Sequence, residues 1–149
     1  MLRVADADPA GSDALGLMAQ LDAALLSMTG DSGASSFDPG DVQGEGGAFV
    51  IAYAANGAAV GCGALRVLAG DTGELKRMLA QPGSGAGAVI LAELERRARA
   101  LGYRQLWLST RRVNTRAVQF YERHGYTPIA PWGRYIGRAA SICMGRQLT

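Results

Sequence analysis

The chain has 149 residues, 48% of them apolar and 19% charged, so we expect an ordinary globular protein with one domain over residues 1–149. No apolar run approaches the roughly eighteen residues of a membrane span, and residues 1–8 turn acidic where a signal peptide is apolar, which predicts a cytoplasmic protein that does not associate with membranes. The net charge of +2 hides thirteen bases against four acids from Thr72 onward, which favours a polyanionic ligand, either a nucleic acid or a compact phosphate-bearing cofactor.

The first half of the sequence predicts a strand, a helix and a hairpin. A strand at residues 2–5 precedes a helix that starts at Ser12 or Asp13, because both are good N-cap residues. Apolar residues then recur at helical spacing and form one stripe: Leu17, Leu21, Leu25 and Met28. The dipeptide Asn56-Gly57 predicts a tight hairpin, since both central residues of a type I′ turn need positive φ. Its two strands are residues 49–53 and 59–68.

The second half predicts strands that alternate with two helices. A strand at residues 74–80 is followed by a glycine-rich turn, a helix over residues 87–101 and a strand at residues 105–109. Glu93 with Arg97, and Glu95 with Arg99, have the favourable i,i+4 order for ion pairs on the exposed face of that helix. A short helix over residues 114–124 and closing strands at residues 127–129 and 140–148 complete an α+β chain.

The two cysteines and the single histidine argue against a disulfide framework and a metal site. Cys62 and Cys143 lie in apolar, strand-like segments, which favours reduced thiols in the core. Neither cysteine has the spacing of a zinc site, and one histidine excludes a histidine-rich site. We therefore expect no metal.

The run Gly83-Ser84-Gly85-Ala86-Gly87 carries the clearest functional signal in the sequence. Without Cβ atoms, this segment can curl so that successive N–H groups point at one spot at the start of the following helix. Those donors and the positive end of the helix dipole make a site for a phosphate-sized anion. The alternative is a flexible loop, but the position between a strand and a strongly periodic helix favours the phosphate site.

Three kinds of phosphate site are compatible with a glycine-rich turn. A P-loop is excluded because no Lys-Ser or Lys-Thr follows the glycines. The segment Gly83 to Ala88 matches Gly-x-Gly-x-x-Ala, as in a dinucleotide-binding fold, but that fold also needs an acidic residue at the end of the next strand. Here that strand ends in Leu108-Ser109-Thr110, which counts against the dinucleotide fold.

The third kind is the coenzyme site of the GNAT acetyltransferases, which this sequence resembles in four elements in the right order. Glu74-Leu75-Lys76-Arg77-Met78-Leu79-Ala80 resembles the fourth strand of that family. The glycine-rich turn and residues 88–100 resemble its pyrophosphate loop and helix, and residues 106–109 its fifth strand. Asn114, Ala117 and Phe120-Tyr121-Glu122-Arg123-His124-Gly125-Tyr126 resemble its closing signature. The resemblance implies a mixed, mostly antiparallel sheet of six to seven strands with helices on both faces.

The resemblance also implies acetyl-coenzyme A as cofactor and assigns residues to it. The backbone of the fourth strand would bind the pantetheine arm, the turn would bind the pyrophosphate, and one side chain would bond the arm: Met78, Leu79, Ala80, Gly83, Ser84, Gly85, Ala86, Gly87, Ala88 and Asn114. Two departures stand out. The turn is about three residues shorter than usual, with Pro82 where relatives carry arginine or glutamine, and Ser109 stands where some relatives carry a glutamate base.

Two residues are candidates for proton transfer during acyl transfer to an amine. An alkylamine has a pKa near 10, so a group must accept its proton, and Glu74 is the candidate base. The alternative is a structural carboxylate paired with Arg77 or another neighbour. By resemblance, Tyr121 would donate a proton to the departing thiolate, the alternative being a tyrosine of the core. Segments expected to border the acceptor contain Asp38, Trp132, Arg134 and Tyr135.

The predicted function is therefore transfer of acetyl from coenzyme A to a primary amine of a small molecule or peptide, by direct attack in a ternary complex. A non-catalytic acyl-coenzyme A-binding module is the alternative. A nucleic-acid binder is a third interpretation, but aromatic residues are not interleaved with the bases, so we expect no nucleic-acid partner. A homodimer is left open because nothing in the sequence decides the oligomeric state.

Overall fold

A computed structural model describes residues 1–148 of the chain, with Ser36 described by its backbone alone. Seven strands and three α-helices follow one another in the order β1 Arg3–Asp6, α1 Ser12–Thr29, β2 Ala48–Tyr53, β3 Ala59–Ala69, β4 Thr72–Ala80, α2 Ala86–Ala100, β5 Gln105–Arg111, α3 Thr115–Arg123, β6 Thr127–Pro128 and β7 Ser141–Gln147. Short 3₁₀ turns occur at Ala34–Ser36, Pro39–Val42 and Gly133–Tyr135. No helix among these residues is long and apolar enough to cross a bilayer.

The strands form one sheet in the order β1-β2-β3-β4-β5-β7-β6. Every neighbouring pair is antiparallel except β4 and β5, which are parallel. A parallel pair needs a crossover connection, and α2 provides it. The predicted α+β fold with a mixed, mostly antiparallel sheet is confirmed.

The helices cover both faces of the sheet, because residues of β2 alternate between two apolar clusters. Phe49 and Ile51 pack with Ala14 and Leu17 of α1 on one face. Val50 and Ala52 belong to the cluster on the other face, which contains the apolar side of α2: Ile90, Leu91, Leu94 and Ala98. Tyr121 of α3 joins this second cluster, so α2 and α3 cover the same face.

Two glycines of β3 let α2 approach the sheet closely. A Cβ on Gly61 would lie 2.7 Å from the Leu79 carbonyl oxygen and 2.9 Å from the Cβ of Ala86. A Cβ on Gly63 would lie 2.7 Å from Cγ2 of Ile90. Such distances are shorter than any real carbon contact, so these positions require glycine for space and not for backbone conformation.

Three local predictions were wrong. The turn at Asn56-Gly57 is not of type I′, because Gly57 has a positive φ of 87° and Asn56 does not. Helix α1 starts at Ser12, as predicted, but its N-cap residue is Gly11. The Asp13 carboxylate accepts a hydrogen bond of 2.8 Å from the hydroxyl of Tyr53. Glu95 was expected on the wet face of α2 but is buried. It accepts hydrogen bonds of 2.8 Å from the Tyr126 hydroxyl and from Arg146, because α2 turns this position toward the sheet. The predicted pair Glu93–Arg97 is confirmed at 2.7 Å.

Candidate active site

A cleft opens where β4 and β5 separate. The parallel ladder between them contains only three residue pairs, from Thr72 with Gln105 to Glu74 with Trp107. Beyond Glu74, no strand among residues 1–148 pairs with the edge of β4 that faces β5. A cavity of about 320 Å³ lies there, lined by β4, β5, α1 and α3. Unpaired backbone N–H and C=O groups at such an edge are able to bind an extended amide-containing ligand as an added strand.

A bulge in β4 adds to the separation of the strands. Cys62 pairs with Leu79 and Ala64 with Lys76, so both Arg77 and Met78 face the single residue Gly63. Arg77 has φ of 53°, a left-handed conformation that is uncommon for a residue other than glycine. Its guanidinium is held in place by an ion pair with Asp22 of α1 and donates a hydrogen bond of 3.2 Å to the Ser32 carbonyl.

The glycine-rich turn joins β4 to α2 and is partly closed by its own hydrogen bonds. Gly83 and Gly85 have φ of 75° and 74°, which explains why glycine is needed at both. The Ser84 hydroxyl donates to the Gln81 carbonyl at 2.7 Å and accepts from the Ala86 amide at 3.2 Å. In the described part of the chain, the amides of Gly85 and Gly87 have no acceptor. Together with the N-terminus of α2 they form a two-amide site for an anion.

Phe120 of α3 packs against the N-terminal turn of α2. A Cβ on Gly87 would lie 3.1 Å from Cε1 of Phe120, so glycine permits the contact. Arg116 is exposed one helical turn before Phe120 on α3.

Tyr121 and Asn114 both line the cleft from α3. The Asn114 side chain caps α3 by accepting a hydrogen bond of 3.2 Å from the Ala117 amide. Tyr121 is buried and packs edge-on against Tyr126 at 5.7 Å between ring centroids. Burial raises the pKa of Tyr121 above that of an exposed tyrosine, so the phenol stays protonated at neutral pH. Its hydroxyl has no hydrogen-bond partner among residues 1–148 and is available to a ligand in the cleft.

Glu74 lies where the cleft meets a second cavity of about 360 Å³. It is buried, accepts a hydrogen bond of 2.7 Å from Nε of Arg66, and has its other oxygen 3.8 Å from the ammonium of Lys76. The alternative predicted partner, Arg77, points instead to Asp22 of α1. Glu74 is thus a buried carboxylate between two cations, at the junction of two solvent-accessible spaces.

The second cavity contains the four residues expected to border an acceptor: Asp38, Trp132, Arg134 and Tyr135. Trp132 packs between Trp107 and Tyr135, with ring centroids 5.2 and 5.1 Å apart, and so forms an aromatic wall. The Asp38 side chain caps a 3₁₀ turn by accepting the Gly40 amide at 2.9 Å. Arg134 is exposed and lines both cavities.

Three features of the site were missed by sequence reasoning. The left-handed bulge at Arg77 has no local signal, because an arginine gives no hint of positive φ. Its ion pair with Asp22 joins residues 55 positions apart, and a single sequence does not reveal such a contact. The sequence predicts Lys76 only as part of the fourth strand, but its side chain lines both cavities where they meet.

The fold is shared with known acyltransferases. The model of the acetyltransferase (GNAT) family matches residues 22–126, and the chain therefore belongs to that family. Proteins of this family use acetyl-coenzyme A as the acyl donor.

Sequence relatives carry names of small-molecule acetyltransferases. An IAA acetyltransferase of Azospirillum brasilense is 33% identical over 97 residues, which cover 62% of this chain and 63% of that protein. An amino-acid acetyltransferase of Mycobacterium tuberculosis is 38% identical over 76 residues, which cover 49% of this chain and 41% of that protein. The chain spans less than two thirds of the length of these curated relatives.

Solved structures share the fold over the whole chain. A Klebsiella pneumoniae protein assigned as an acyl-CoA N-acyltransferase superposes with a TM-score of 0.84 and 28% identity, covering 100% of this chain and 99% of that one. N-acetylglutamate synthase of Neisseria gonorrhoeae, solved with coenzyme A and N-acetyl-glutamate, superposes with a TM-score of 0.70 and 18% identity. That match covers 100% of this chain and 35% of the synthase, and it bears on the fold alone.

Proposed function

We propose that residues 1–149 act as one N-acetyltransferase domain, which moves the acetyl group of acetyl-coenzyme A to a primary amine of a small molecule or peptide. The observation that carries the proposal is the separation of β4 from β5 beyond Glu74. It leaves a cleft with unpaired backbone along one side, which meets a second cavity at Glu74. The residues of β4 that line the cleft end at Met78, and the glycine turn follows further along the chain, between β4 and α2. Both substrates have a place in this arrangement, which supports direct attack in a ternary complex.

The residues of the cleft fit coenzyme A. The amides of Gly85 and Gly87, at the N-terminus of α2, suit the pyrophosphate, and Arg116 suits an outer phosphate. The backbone of Met78, Leu79 and Ala80 suits the two amides of the pantetheine arm, because this edge of β4 has no neighbouring strand. Asn114 lines the same cleft and retains an amide NH₂ group as a donor after capping α3.

Acetyl-coenzyme A supplies an acetyl group activated as a thioester. Glu74 accepts the proton of the incoming amine, directly or through water, because its carboxylate is at the junction from which the amine approaches. An N–H of the β4 bulge polarises the acyl oxygen, an interaction of a few kcal/mol in such sites. Tyr121 donates its proton to the departing sulfur, since burial keeps the phenol protonated.

A substitution in the glycine turn tests the coenzyme site. Gly85→Asp sets a carboxylate among the free amides, and we expect it to abolish stabilisation by coenzyme A in a thermal-shift titration. The matched control is Gly102→Asp. Like Gly85, Gly102 has positive φ (88°) and open space where an added Cβ would lie, but it is at the opposite end of α2. Equal responses of the two variants to coenzyme A would remove the turn from the binding site.

Turnover distinguishes the enzyme from a module that only binds acyl-coenzyme A. Two features favour this second function: Pro82 in the shortened turn and Ser109 on β5 in place of a glutamate. The enzyme releases free thiol when acetyl-coenzyme A is incubated with a panel of primary amines, including amino acids. Stabilisation by the coenzyme without thiol release from any amine would favour the binding module.

A further inference from the structure

Lys76 is the one lysine of a chain that otherwise uses fourteen arginines for its positive charge. It lies on β4, two residues after Glu74 and directly before the bulge at Arg77. Its side chain lines both the cleft and the second cavity, with 8% of its surface exposed. The chain therefore places its only side-chain amine at the junction where the proposed reaction needs an amine acceptor.

From this position, and resting on the proposed function, we propose that Lys76 is a self-acetylation site of the protein. The amine approaches the acyl donor from the second cavity, as an external acceptor would. The carboxylate of Glu74 lies 3.8 Å from its nitrogen and is placed to accept a proton. An arginine at this position would keep the charge but has no nucleophilic nitrogen, because its guanidinium stays protonated.

The chemical state of Lys76 supports the reaction. Burial lowers the pKa of the Lys76 amine, although the charge of Glu74 acts in the opposite direction. A larger fraction of the amine is then in the neutral, nucleophilic form at a given pH than for an exposed lysine. Arg66 and Arg134 also disfavour the charged amine by repulsion, while Asp41 favours it.

The step balances without any further reactant. The neutral Lys76 nitrogen forms a bond to the acyl carbon, the carbon–sulfur bond breaks, and its electron pair leaves with coenzyme A as a thiolate. The proton lost from nitrogen passes to Glu74 and from there to solvent, while Tyr121 protonates the thiolate and regains its proton from solvent. The product is N-acetyl-Lys76, which has lost its charge beside Glu74 and is bulkier at the junction. Self-acetylation in the absence of an acceptor would therefore obstruct the acceptor route.

Mass spectrometry tests the proposal directly. The purified full chain is incubated with acetyl-coenzyme A without any added amine, and peptide mapping follows acetylation of Lys76 and of the exposed amine of Met1 as an internal reference. We expect Lys76 to be acetylated in the wild type and in Gly102→Asp about tenfold or more faster than in Gly85→Asp, because bound coenzyme holds the thioester beside the amine. An excess of coenzyme A should suppress the reaction at Lys76 but not at Met1.

The outcomes separate this inference from the proposed function. If coenzyme A stabilises the wild type but Lys76 stays unmodified, or reacts equally fast in Gly85→Asp, self-acetylation is wrong and the acetyltransferase proposal stands. If coenzyme A does not stabilise the wild type, the proposed function fails and this inference fails with it. Lys76→Arg is the control for assigning the acetyl group to Lys76, because the peptide that contains β4 should carry no acetyl group in this variant.

Discussion

Tyr121 illustrates how burial and an unsatisfied hydroxyl prepare a side chain for chemistry. Its ring is surrounded by Phe120 and Tyr126, which remove it from water and keep the phenol protonated. Its hydroxyl faces the cleft with no partner among the described residues. Tyr103 is a useful contrast, because it is equally buried but donates its hydroxyl hydrogen bond to the Gly46 carbonyl at 2.5 Å.

We expect Tyr121→Phe to lower kcat by about 10²- to 10⁴-fold, the usual contribution of a general acid. The Kd for coenzyme A should stay near the wild-type value, because the ring and its packing are retained. Steady-state kinetics with a responsive amine and calorimetric titration of coenzyme A measure the two quantities. Tyr103→Phe removes a hydroxyl away from the cleft and should lower stability while leaving kcat nearly unchanged. Full turnover in Tyr121→Phe would eliminate its role as an acid.

Arg77 is the residue whose conformation is hardest to anticipate. The left-handed φ of a non-glycine residue costs of order 1–3 kcal/mol and persists because other contacts hold it. Here the ion pair with Asp22 and the hydrogen bond to Ser32 fix the side chain, while the Cys62 thiol lies 3.4 Å from the Arg77 carbonyl oxygen. The bulge that shapes the cleft thus depends on contacts from α1 and β3.

Helix α2 has its position set by the glycines of β3 beneath it. Gly61 lies under Ala86, the first residue of the helix, and beside the carbonyl of Leu79 on β4. The glycine turn connects these same two elements, so the spacing between sheet and helix fixes where the free amides point. Packing at Gly61 and the geometry of the anion site are therefore coupled.

We expect Gly61→Ala to destabilise the protein by about 1–3 kcal/mol, the usual cost of overpacking a tight core. Its Cβ would meet the backbone oxygen of Leu79 at 2.7 Å, so β4 or α2 must move, and affinity for coenzyme A should fall as well. Urea unfolding and coenzyme titration measure both effects.

Gly16→Ala is the control for this substitution. Gly16 is the fifth residue of α1 and has no atom within 4 Å of the position that a Cβ would take, so alanine there should stabilise the protein by about 0.5–1 kcal/mol. Unchanged stability in Gly61→Ala would show that the sheet and α2 adjust without cost.

The elements themselves were largely predictable, while their contacts were not. The helical periodicity of residues 87–101, the turn residues Asn56-Gly57 and the glycine turn are local patterns, and helices and strands follow from them. Glu95 was predicted on the exposed face of α2 because its i,i+4 spacing to Arg99 is typical of a surface ion pair. The same spacing is present when Glu95 is buried, so spacing alone does not distinguish the two cases. Only packing against β7 brings Arg146 to it.

At the scale of the whole molecule, folding brings acids of the first half of the chain together with bases of the second half. The sequence separates acids in the first half from bases in the second, which suggested a polyanionic ligand. Ion pairs join the two halves in the structure: Arg77 with Asp22, Arg97 with Asp6, and Arg111 with Asp31. Part of the basic excess is therefore neutralised internally, which disfavours a continuous surface for nucleic acid.

We expect acetyl-coenzyme A and coenzyme A to raise the melting temperature, and NAD and duplex DNA to leave it unchanged. A ligand at 100 times its Kd stabilises the folded state by about 2.7 kcal/mol, a shift that is easily measured. Repeating the titration at low and high salt identifies any weak DNA binding, since affinity from phosphate contacts falls steeply with salt. A larger shift with NAD or DNA than with coenzyme A would contradict the proposed function.

The sequence by itself determined the order of elements, the mixed α+β class, the family resemblance and the segments around the cleft. These properties follow from local patterns: apolar residues at helical spacing, and glycines directly before a periodic helix. The tertiary structure alone decided that β4 separates from β5 after three residue pairs, that Arg77 adopts a left-handed bulge, and that Lys76 reaches the junction beside Glu74. Each depends on contacts between residues far apart in the chain, whose energies arise only when the helices and the sheet pack together.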